Sequence, residues 1–344
     1  MEYKKAVEAI WDEQNINGRL DQAPFNVTFL FMYGFGIIGN LLVIAVFRKG
    51  YSEPSPYRLF VILLAASDLF SSFGFVFRCF ERIVFVFHQV GPVTIYICKA
   101  TRMVSYSNGL ASVFLILALG TDRYRKICTP LQPQMTHSQS RIIGGMSFAF
   151  GILFNSPTIF LFGQQFYVIT ELNKTATRCG IPKEIQTSYF PIIFYGSYVV
   201  AVSIAIFSIG VMQYKIIQSL IQRAKFQREM KNINNVDNQF RKTDFRNRIA
   251  HALISNRNQE IAIALAVITL LMVVSFLSLL TFQIYSAFKG FFIPTSHVSM
   301  ADDLVNEYLM DIVAVNGVLN PVVYFVLDLK FRKEVKSICR KTKE

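Results

Sequence analysis

The stretch VAVNGVLNPVVYF, residues 313–325, decides the fold, because it places two asparagines and a proline inside an otherwise apolar run. A second apolar run, LLAASDLFSS at residues 63–72, contains an aspartate. A third, LALGTDRYR at residues 117–125, leads into the acid–base pair Asp122 and Arg123. A charge at the bilayer centre costs on the order of 2.5–3.5 kcal/mol, so such residues usually face a bundle interior and mark a switch, an ion path or a ligand site. The pattern therefore predicts a membrane protein with an internal function.

The remaining composition agrees with a chain that crosses the membrane several times. Hydrophobic residues make up 53% of the sequence, charged residues 17%, and the mean hydropathy is +0.39. A run of about 20 apolar residues crosses the ~30 Å hydrocarbon core as a helix, which satisfies its own backbone polar groups. The predicted fold class is an all-α membrane protein, a seven-transmembrane helix bundle. The predicted spans are residues 28–47, 58–79, 96–121, 142–163, 189–213, 260–288 and 304–327.

The distribution of lysine and arginine predicts the orientation. The net charge of +13 comes mainly from the segments after spans 1, 3, 5 and 7, and such segments usually lie in the cytoplasm. We therefore expect a plasma-membrane protein with an extracellular N-terminus at 1–27, a third intracellular loop at 214–259 and a cytoplasmic tail at 328–344. The tail is predicted to begin with a short, amphipathic, membrane-parallel eighth helix. The basic residues face lipid headgroups, and no nucleic-acid partner is expected.

Several small motifs fit this topology. The sequons at Asn26 and Asn173 both fall on the predicted outer side, where glycosylation occurs. Cys98 and Cys179 also fall outside, where disulfides persist, and a bridge between them would hold the second outer loop over the mouth of the bundle. Cys339 follows the basic amphipathic stretch of the tail, and is a candidate for palmitoylation or a free cytosolic thiol.

An ordered set of motifs makes the chain resemble the rhodopsin-like (class A) G-protein-coupled receptors over about residues 26–340, as a divergent member similar to invertebrate peptide receptors. The set is Gly39-Asn40 in span 1, Leu64-Ala65-Ala66-Ser67-Asp68 in span 2, Cys98 placed 25 residues before the arginine of Asp122-Arg123-Tyr124, Cys179 in the second outer loop, and Asn320-Pro321-Val322-Val323-Tyr324 in span 7. Each motif alone is weak, whereas the ordered set is specific.

The resemblance implies an activation switch at the inner end of the bundle. Asp122 pairs with Arg123 in the resting state, and loss of the pair frees the arginine to meet the G protein and Tyr214 of span 5. Pro321 has no backbone N–H and weakens the span 7 helix, so that Tyr324 can swing into the bundle. The switch residues are Asp122, Arg123, Tyr124, Tyr214, Asn320, Pro321 and Tyr324.

The resemblance also implies an allosteric Na⁺ ion among Asp68, Asn108, Ser112, Asn316 and Asn320. Oxygen ligands suit a hard cation, and an unpaired buried carboxylate is very costly. The alternative is a protonated Asp68 within a polar network filled by water. No other cofactor is expected.

The chain departs from the family in span 6, VVSFLSLLTFQIY at 273–285, which has neither the tryptophan nor the proline that the family uses for activation. Span 4 carries Phe148 in place of its tryptophan, and span 5 lacks its mid-helix proline. Ser275 and Ser278 are candidates to bend span 6 instead. The usual trigger is therefore in doubt for this chain.

The ligand is predicted from the residues that face the pocket. Ala314 stands where opsins carry the retinal lysine, and Ser105 where amine receptors carry an aspartate, so retinal and amines are disfavoured. Arg78, Arg102 and Arg178 near the outer rim favour an anionic group on the ligand, since guanidinium pairs with carboxylate. The competing interpretation is that these arginines extend to the membrane interface or pair with Glu81 and Glu307. The candidate ligand-binding residues are Arg78, Arg102, Ser105, Tyr106, Arg178 and Asn306.

These observations predict a receptor, not an enzyme, that passes the binding of a small extracellular peptide to a heterotrimeric G protein. A receptor for a lipid or carboxylate ligand is the first alternative. A seven-span ion transporter or channel, in which Asp68 and the asparagines line an ion path, is the alternative from another class. The four histidines are scattered at 88, 137, 251 and 297 and show no metal-ligand or nucleophile–base spacing.

Overall fold

The computed structural model describes the backbone of residues 2–49, 54–84, 92–169, 174–234, 242–292 and 300–341. Almost all of these residues are helical. The helices are α1 Glu2–Lys49, α2 Pro56–Val84, α3 Pro92–Cys128, α4 His137–Asn155, α5 Thr158–Leu161, α6 Lys183–Gln186, α7 Phe190–Asn234, α8 Lys242–Phe292, α9 Met300–Leu327 and α10 Leu329–Lys341. The predicted all-α bundle is confirmed, with spans 5, 6 and 7 lying in α7, α8 and α9.

Six of these helices are long and apolar enough to cross a membrane, with mean hydropathies of 1.4 to 2.8 over the segments Pro24–Lys49, Pro56–Val76, Ile95–Cys128, His137–Leu161, Phe190–Phe226 and Glu260–Phe288. A seventh candidate is the bent pair Asp311–Leu327 and Leu329–Ile338, whose axes meet at 97°. The large bend separates α10 from the last span, as expected for a helix that leaves the bundle at the membrane surface. Phe331, on the apolar side of α10, is buried.

The bundle has an apolar interior and an apolar exterior. Tyr33, Phe47, Phe60 and Tyr198 are among the largest fully buried side chains. Many large apolar residues are exposed on the outer surfaces of the helices, among them Phe31, Ile38, Phe70, Leu153, Ile204, Phe207 and Leu277. In water such a surface would favour aggregation, whereas in a bilayer it faces acyl chains.

The helix α4 packs through a face of small residues. Its buried positions are Ser140, Gly144, Ser147, Gly151 and Asn155, spaced three or four residues apart. A Cβ at Gly151 would lie 2.5 Å from the backbone oxygen of Ser107 on α3. Small residues at this spacing let two membrane helices approach closely, which holds α4 directly against the helix that carries most of the candidate site.

A two-stranded antiparallel hairpin, β1 Gly163–Ile169 and β2 Lys174–Gly180, follows α5. The sequence did not predict this pair. Cys98 is disulfide-bonded, and Cys179 stands opposite Gln164 in the ladder, but its side chain lies outside the described residues. The Cys98–Cys179 pairing therefore stays a prediction.

One prediction is corrected here. Asn26 was predicted to carry a glycan, but its side chain is 1% exposed within α1. A glycan is bulky and requires an accessible amide, so Asn26 cannot be modified in this conformation. The side chains of Asn173 and Cys339 lie outside the described residues, so glycosylation and palmitoylation there stay predictions.

Candidate functional site

Asp68 and Asn320 form the polar centre of the bundle. The Asn320 Nδ2 donates a hydrogen bond of 2.7 Å to the Asp68 Oδ2, and both side chains are buried. The bond joins α2 to α9 across 252 residues of sequence. A hydrogen bond to a charged group contributes more to the stability of the fold than a bond between neutral groups does, on the order of 1.5–3 kcal/mol. It therefore fixes these two helices relative to each other.

Gly317 allows α9 to come this close. A Cβ built at Gly317 would lie 2.8 Å from the Asp68 Cγ and Oδ1 and 2.9 Å from its Cβ. On the other side of α9, Asn40 Nδ2 donates to the Gly317 carbonyl at 3.0 Å and also to the Gly36 carbonyl at 3.0 Å. The Asn40 bond ties α1 to the same turn of α9. Asn40 and Asp68 thus both contact α9 at Gly317.

A cavity of about 70 Å³ lies beside this centre. Such a volume holds several water molecules or a cation with part of its hydration shell. Its polar lining residues are Asp68, Ser71, Ser105, Ser112, Asn316 and Asn320. Two of them meet polar side chains outside the cavity: Ser112 lies 3.2 Å from the Ser67 hydroxyl, and the Asn316 Oδ1 accepts a 3.1 Å hydrogen bond from Ser275 on α8.

The residues present fit a sodium ion. The carboxylate of Asp68, the hydroxyl of Ser112 and the amide oxygens of Asn316 and Asn320 are hard oxygen donors. Of the five residues predicted for Na⁺, these four line the cavity. Asn108 does not line it; it is half-buried, and its Nδ2 has no hydrogen-bond partner among the described residues. These residues would hold the ion, and the ion would supply positive charge beside Asp68.

The second centre lies at the inner end of α3. Arg123 donates to the Asp122 Oδ2 through Nε at 3.0 Å and through one terminal nitrogen at 2.5 Å. Lys126, one turn further on, places its Nζ 3.3 Å from the Asp122 Oδ1. Asp122 and Arg123 are buried, so each charge depends on the other. The guanidinium also lies over the ring of Tyr57 on α2, at 4.6 Å from the ring centroid.

The other predicted switch residues lie apart from Arg123. Tyr214 is 62% exposed on α7 and accepts a hydrogen bond of 2.6 Å from Gln218. Tyr124 is half-buried, with the Lys215 ammonium 5.9 Å from its ring centroid. In this conformation the arginine is held by Asp122, and the predicted meeting of Arg123 with Tyr214 has not taken place.

The Asn320–Tyr324 segment is packed against α1. A Cβ at Gly39 would lie 2.9 Å from the ring of Pro321, so the ring packs directly against the α1 backbone there. Tyr324 is buried against Phe47 of α1 and Phe331 of α10, at centroid distances of 6.0 and 6.3 Å. The Tyr324 hydroxyl has no hydrogen-bond partner in the described part of the chain.

The predicted ligand residues on α3 lie beneath an aromatic layer. The Arg102 guanidinium is buried 5.4 Å from the centroid of the Phe162 ring, just before the hairpin. Ser105 donates to the Thr101 carbonyl and also lines the cavity. Tyr106 is surrounded by the rings of Phe162, Phe194, Tyr195 and Tyr198. The side chains of Arg78, Arg178 and Asn306 lie outside the described residues.

Sequence reasoning missed two residues, one beside Tyr106 and one in the turn that follows α3. Gln283 of α8 is buried and donates a hydrogen bond of 2.5 Å to the Tyr106 hydroxyl, which joins α8 to α3. A lone glutamine in an apolar run is the signal that could have identified it. Leu131, in the turn between α3 and α4, is 100% exposed; an isolated leucine in a polar loop gives no sequence signal.

Comparisons with known proteins place this arrangement among membrane receptors. The family model described as 7 transmembrane receptor (rhodopsin family) matches residues 39–324. The B1 bradykinin receptor of Homo sapiens is 30% identical over 152 residues, which is 44% of this chain and 42% of that protein. The GQ-coupled rhodopsin of Mizuhopecten yessoensis is 26% identical over 300 residues, which is 87% of this chain and 56% of that protein.

The chain therefore spans about half the length of these curated relatives. The crystal structure of squid rhodopsin superimposes with a TM-score of 0.72 at 17% identity, covering 94% of this chain and 87% of that one. At this identity the likeness shows the fold alone, which is that of a seven-transmembrane receptor.

Proposed function

The chain belongs to the rhodopsin family of seven-transmembrane receptors, and we propose that it passes the binding of an extracellular ligand to a heterotrimeric G protein on the cytoplasmic side. The observation that carries this proposal is the buried Asp122–Arg123 pair at the inner end of α3. A buried ion pair that can be broken is a two-state element, and a ligand that favours the broken state shifts the population towards it. In the second state Arg123 turns from Asp122 to the partner and to Tyr214.

Leu131 supports the presence of a protein partner on this side. It is fully exposed in the turn that follows α3, close in sequence to Arg123. Moving an exposed leucine side chain from water into an apolar pocket of a partner is favourable, by about 1.5–3 kcal/mol for full burial. Arg123 and Leu131 together form the proposed G-protein contact.

A small peptide is the proposed ligand class. The B1 bradykinin receptor is among the similar proteins, and its name is that of a peptide receptor. Arg102, held beneath Phe162 on the ligand side of α3, offers a cation for a carboxylate of the peptide. A lipid with an acidic headgroup offers the same carboxylate chemistry and is the second candidate. An ion transporter is not favoured, because the family consists of receptors.

Two further parts of the proposal concern ions and orientation. Na⁺ binds among Asp68, Ser112, Asn316 and Asn320 and stabilises the resting state, because a cation offsets the buried carboxylate. The chain crosses the plasma membrane several times, with its N-terminus outside and its basic tail inside, as the distribution of lysine and arginine supports.

The test is the basal activation of G proteins in cells that express the full chain, measured against a panel of Gα subunits from each class. Asp122→Asn removes the charge that holds Arg123 and is expected to raise basal activation several-fold. Arg123→Ala is expected to abolish it at equal surface expression. A peptide library is then applied to the wild type and to Arg102→Ala.

Lys126→Ala is the matched control, because Lys126 also contacts Asp122 but does not hold the arginine. Equal basal activity in the wild type, Asp122→Asn and Arg123→Ala for every Gα subunit would contradict the proposed coupling.

A further inference from the structure

Arg123 has a second buried neighbour besides its acid. The Arg123 Cζ lies 4.6 Å from the centroid of the Tyr57 ring, and both residues are 4% exposed. A guanidinium over the face of an aromatic ring is attracted by the ring quadrupole, and the attraction is strongest where water is excluded. The guanidinium is thus held from two directions, by the Asp122 carboxylate in one and by the face of the Tyr57 ring in the other.

The ring of Tyr57 is itself fixed by packing. Tyr57 is the second residue of α2, and its ring meets that of Phe47 on α1 edge-on at 5.8 Å. Phe47 in turn contacts Tyr324 at 6.0 Å and Phe331 at 6.1 Å. A continuous run of aromatic rings therefore leads from Arg123 on α3 to Tyr324 on α9 and to the first turn of α10.

We propose that Tyr57 is a positioning residue of the switch, whose ring holds the Arg123 guanidinium in the resting state and links it through Phe47 to Tyr324. This inference rests on the proposed receptor function. The face of a ring carries no titratable charge, so its hold on the arginine does not depend on the ionisation of Asp122. When Tyr324 moves, Phe47 loses its contact with that ring and can shift away from Tyr57. The Tyr57 ring is then less firmly held against the Arg123 guanidinium.

The test compares three variants in the full-length receptor, with basal G-protein activation normalised to surface expression. Tyr57→Leu removes the ring and is expected to raise basal activation about fivefold, which corresponds to about 1 kcal/mol at 1.4 kcal/mol per tenfold. Tyr57→Phe keeps the ring face and is expected to stay close to the wild type. Phe60→Leu is the matched control, an aromatic-to-leucine change one turn along α2, and is expected to leave basal activation unchanged.

A second measurement separates positioning from general loosening of the fold. A bimane label on Ile263→Cys, an exposed position of α8, reports movement of that helix in purified receptor in nanodiscs. Tyr57→Leu is expected to change the label's fluorescence in the wild-type background and to have no effect in Arg123→Ala, because the ring acts through the arginine. The same change in both backgrounds, or equal effects of Tyr57→Leu and Tyr57→Phe, would overturn the inference.

The Asp122→Asn variant distinguishes failure of this inference from failure of the proposed function. If basal G-protein activation rises in Asp122→Asn but not in Tyr57→Leu, the role of Tyr57 is overturned and the receptor function stands. No response to Asp122→Asn, Arg123→Ala or Tyr57→Leu overturns both. If Tyr57→Leu does not reach the cell surface, Tyr57→Met replaces it, because methionine fills irregular apolar space without an aromatic face, and the same expectations apply.

Discussion

The helices α8 and α9 lie side by side in the bundle but are held in different ways. α9 contains Pro321, and its Gly317 lies against Asp68. Its asparagine side chains bond to α2 and α8, and Asn40 of α1 bonds to its backbone. α8 runs for 51 residues without a proline. Its buried face is mainly apolar and includes Ile261, Leu265, Ile268, Met272, Phe276, Leu279 and Leu280.

The difference indicates which helix stays and which moves. Hydrogen bonds to buried carboxylates and carbonyls are directional, so they hold α9 in one position. Dispersion contacts are not directional, and a helix that packs through them can shift by small amounts without breaking any one bond. Among the described residues, Ser275 and Gln283 bond α8 to Asn316 and Tyr106, and Glu260 accepts an exposed hydrogen bond from the Leu329 backbone N–H of α10. We therefore expect the part of α9 around Gly317 and Asn320 to stay fixed and α8 to be the mobile helix.

The largest effect is expected where α9 touches Asp68. Gly317→Ala places a Cβ 2.8 Å from the carboxylate, and overpacking at this point is expected to reduce the free energy of unfolding by about 3 kcal/mol. Gly74→Ala is the matched control, because a Cβ there meets nothing within 4 Å. The measurement is thermal unfolding of the purified receptor in detergent. Equal stability of the two variants would show that α9 is not held closely by α2.

A smaller loss of stability is expected when the hydrogen bond between Asn320 and Asp68 is removed. Asn320→Ala removes the amide that donates to Asp68 and is expected to cost about 2 kcal/mol of stability. Replacing K⁺ by Na⁺ in the buffer is expected to raise the unfolding temperature of the wild type, since a ligand that binds the folded state stabilises it. The unfolding temperature of Asn320→Ala is expected to stay unchanged.

The control for this variant is Ser71→Ala. Ser71 also lines the cavity, but its hydroxyl makes no bond to Asp68 in the part of the chain that the structure describes. An Na⁺ response that survives both Asn320→Ala and Asp68→Asn would contradict an ion at this cavity.

The smallest effect is expected on α8. Ser275→Ala removes the bond to Asn316 and is expected to cost about 1 kcal/mol of stability. Basal signalling is expected to rise, because a polar tie between α8 and α9 is lost. Ser278→Ala is the control, because Ser278 is exposed and, among the described residues, its hydroxyl bonds only to the Val274 carbonyl of its own helix. This change is expected to be neutral. If both variants behave alike, the tie to Asn316 does not restrain α8.

The sequence predicted the parts of the molecule that follow from polarity and order along the chain. The resemblance to class A receptors grouped Asp68, Asn108, Ser112, Asn316 and Asn320, and all of these but Asn108 line one cavity. The fold class followed from the length of the apolar runs.

The sequence could not predict contacts that depend on rotation and tilt of the helices. Nothing in the composition of α2 brings Tyr57 rather than Phe60 over Arg123, and nothing in the spacing of α8 directs Gln283 to Tyr106. The β1–β2 hairpin was missed because its strands are short and neither has an alternating apolar pattern. The sequon at Asn26 marks an acceptor sequence but carries no information on burial, and the asparagine side chain is buried within α1, which begins at Glu2.

The length of α8 gives the receptor mechanical leverage. At a rise of 1.5 Å per residue, about 50 Å of helix separates Ser275 from the start of α8 at Lys242. A tilt of only ~10° about Ser275 would displace that end by about 9 Å over this distance. A small change in the packing around Ser275 and Asn316, where the forces are short-ranged, is thereby converted into a displacement comparable with the width of a helix at the Lys242 end of α8.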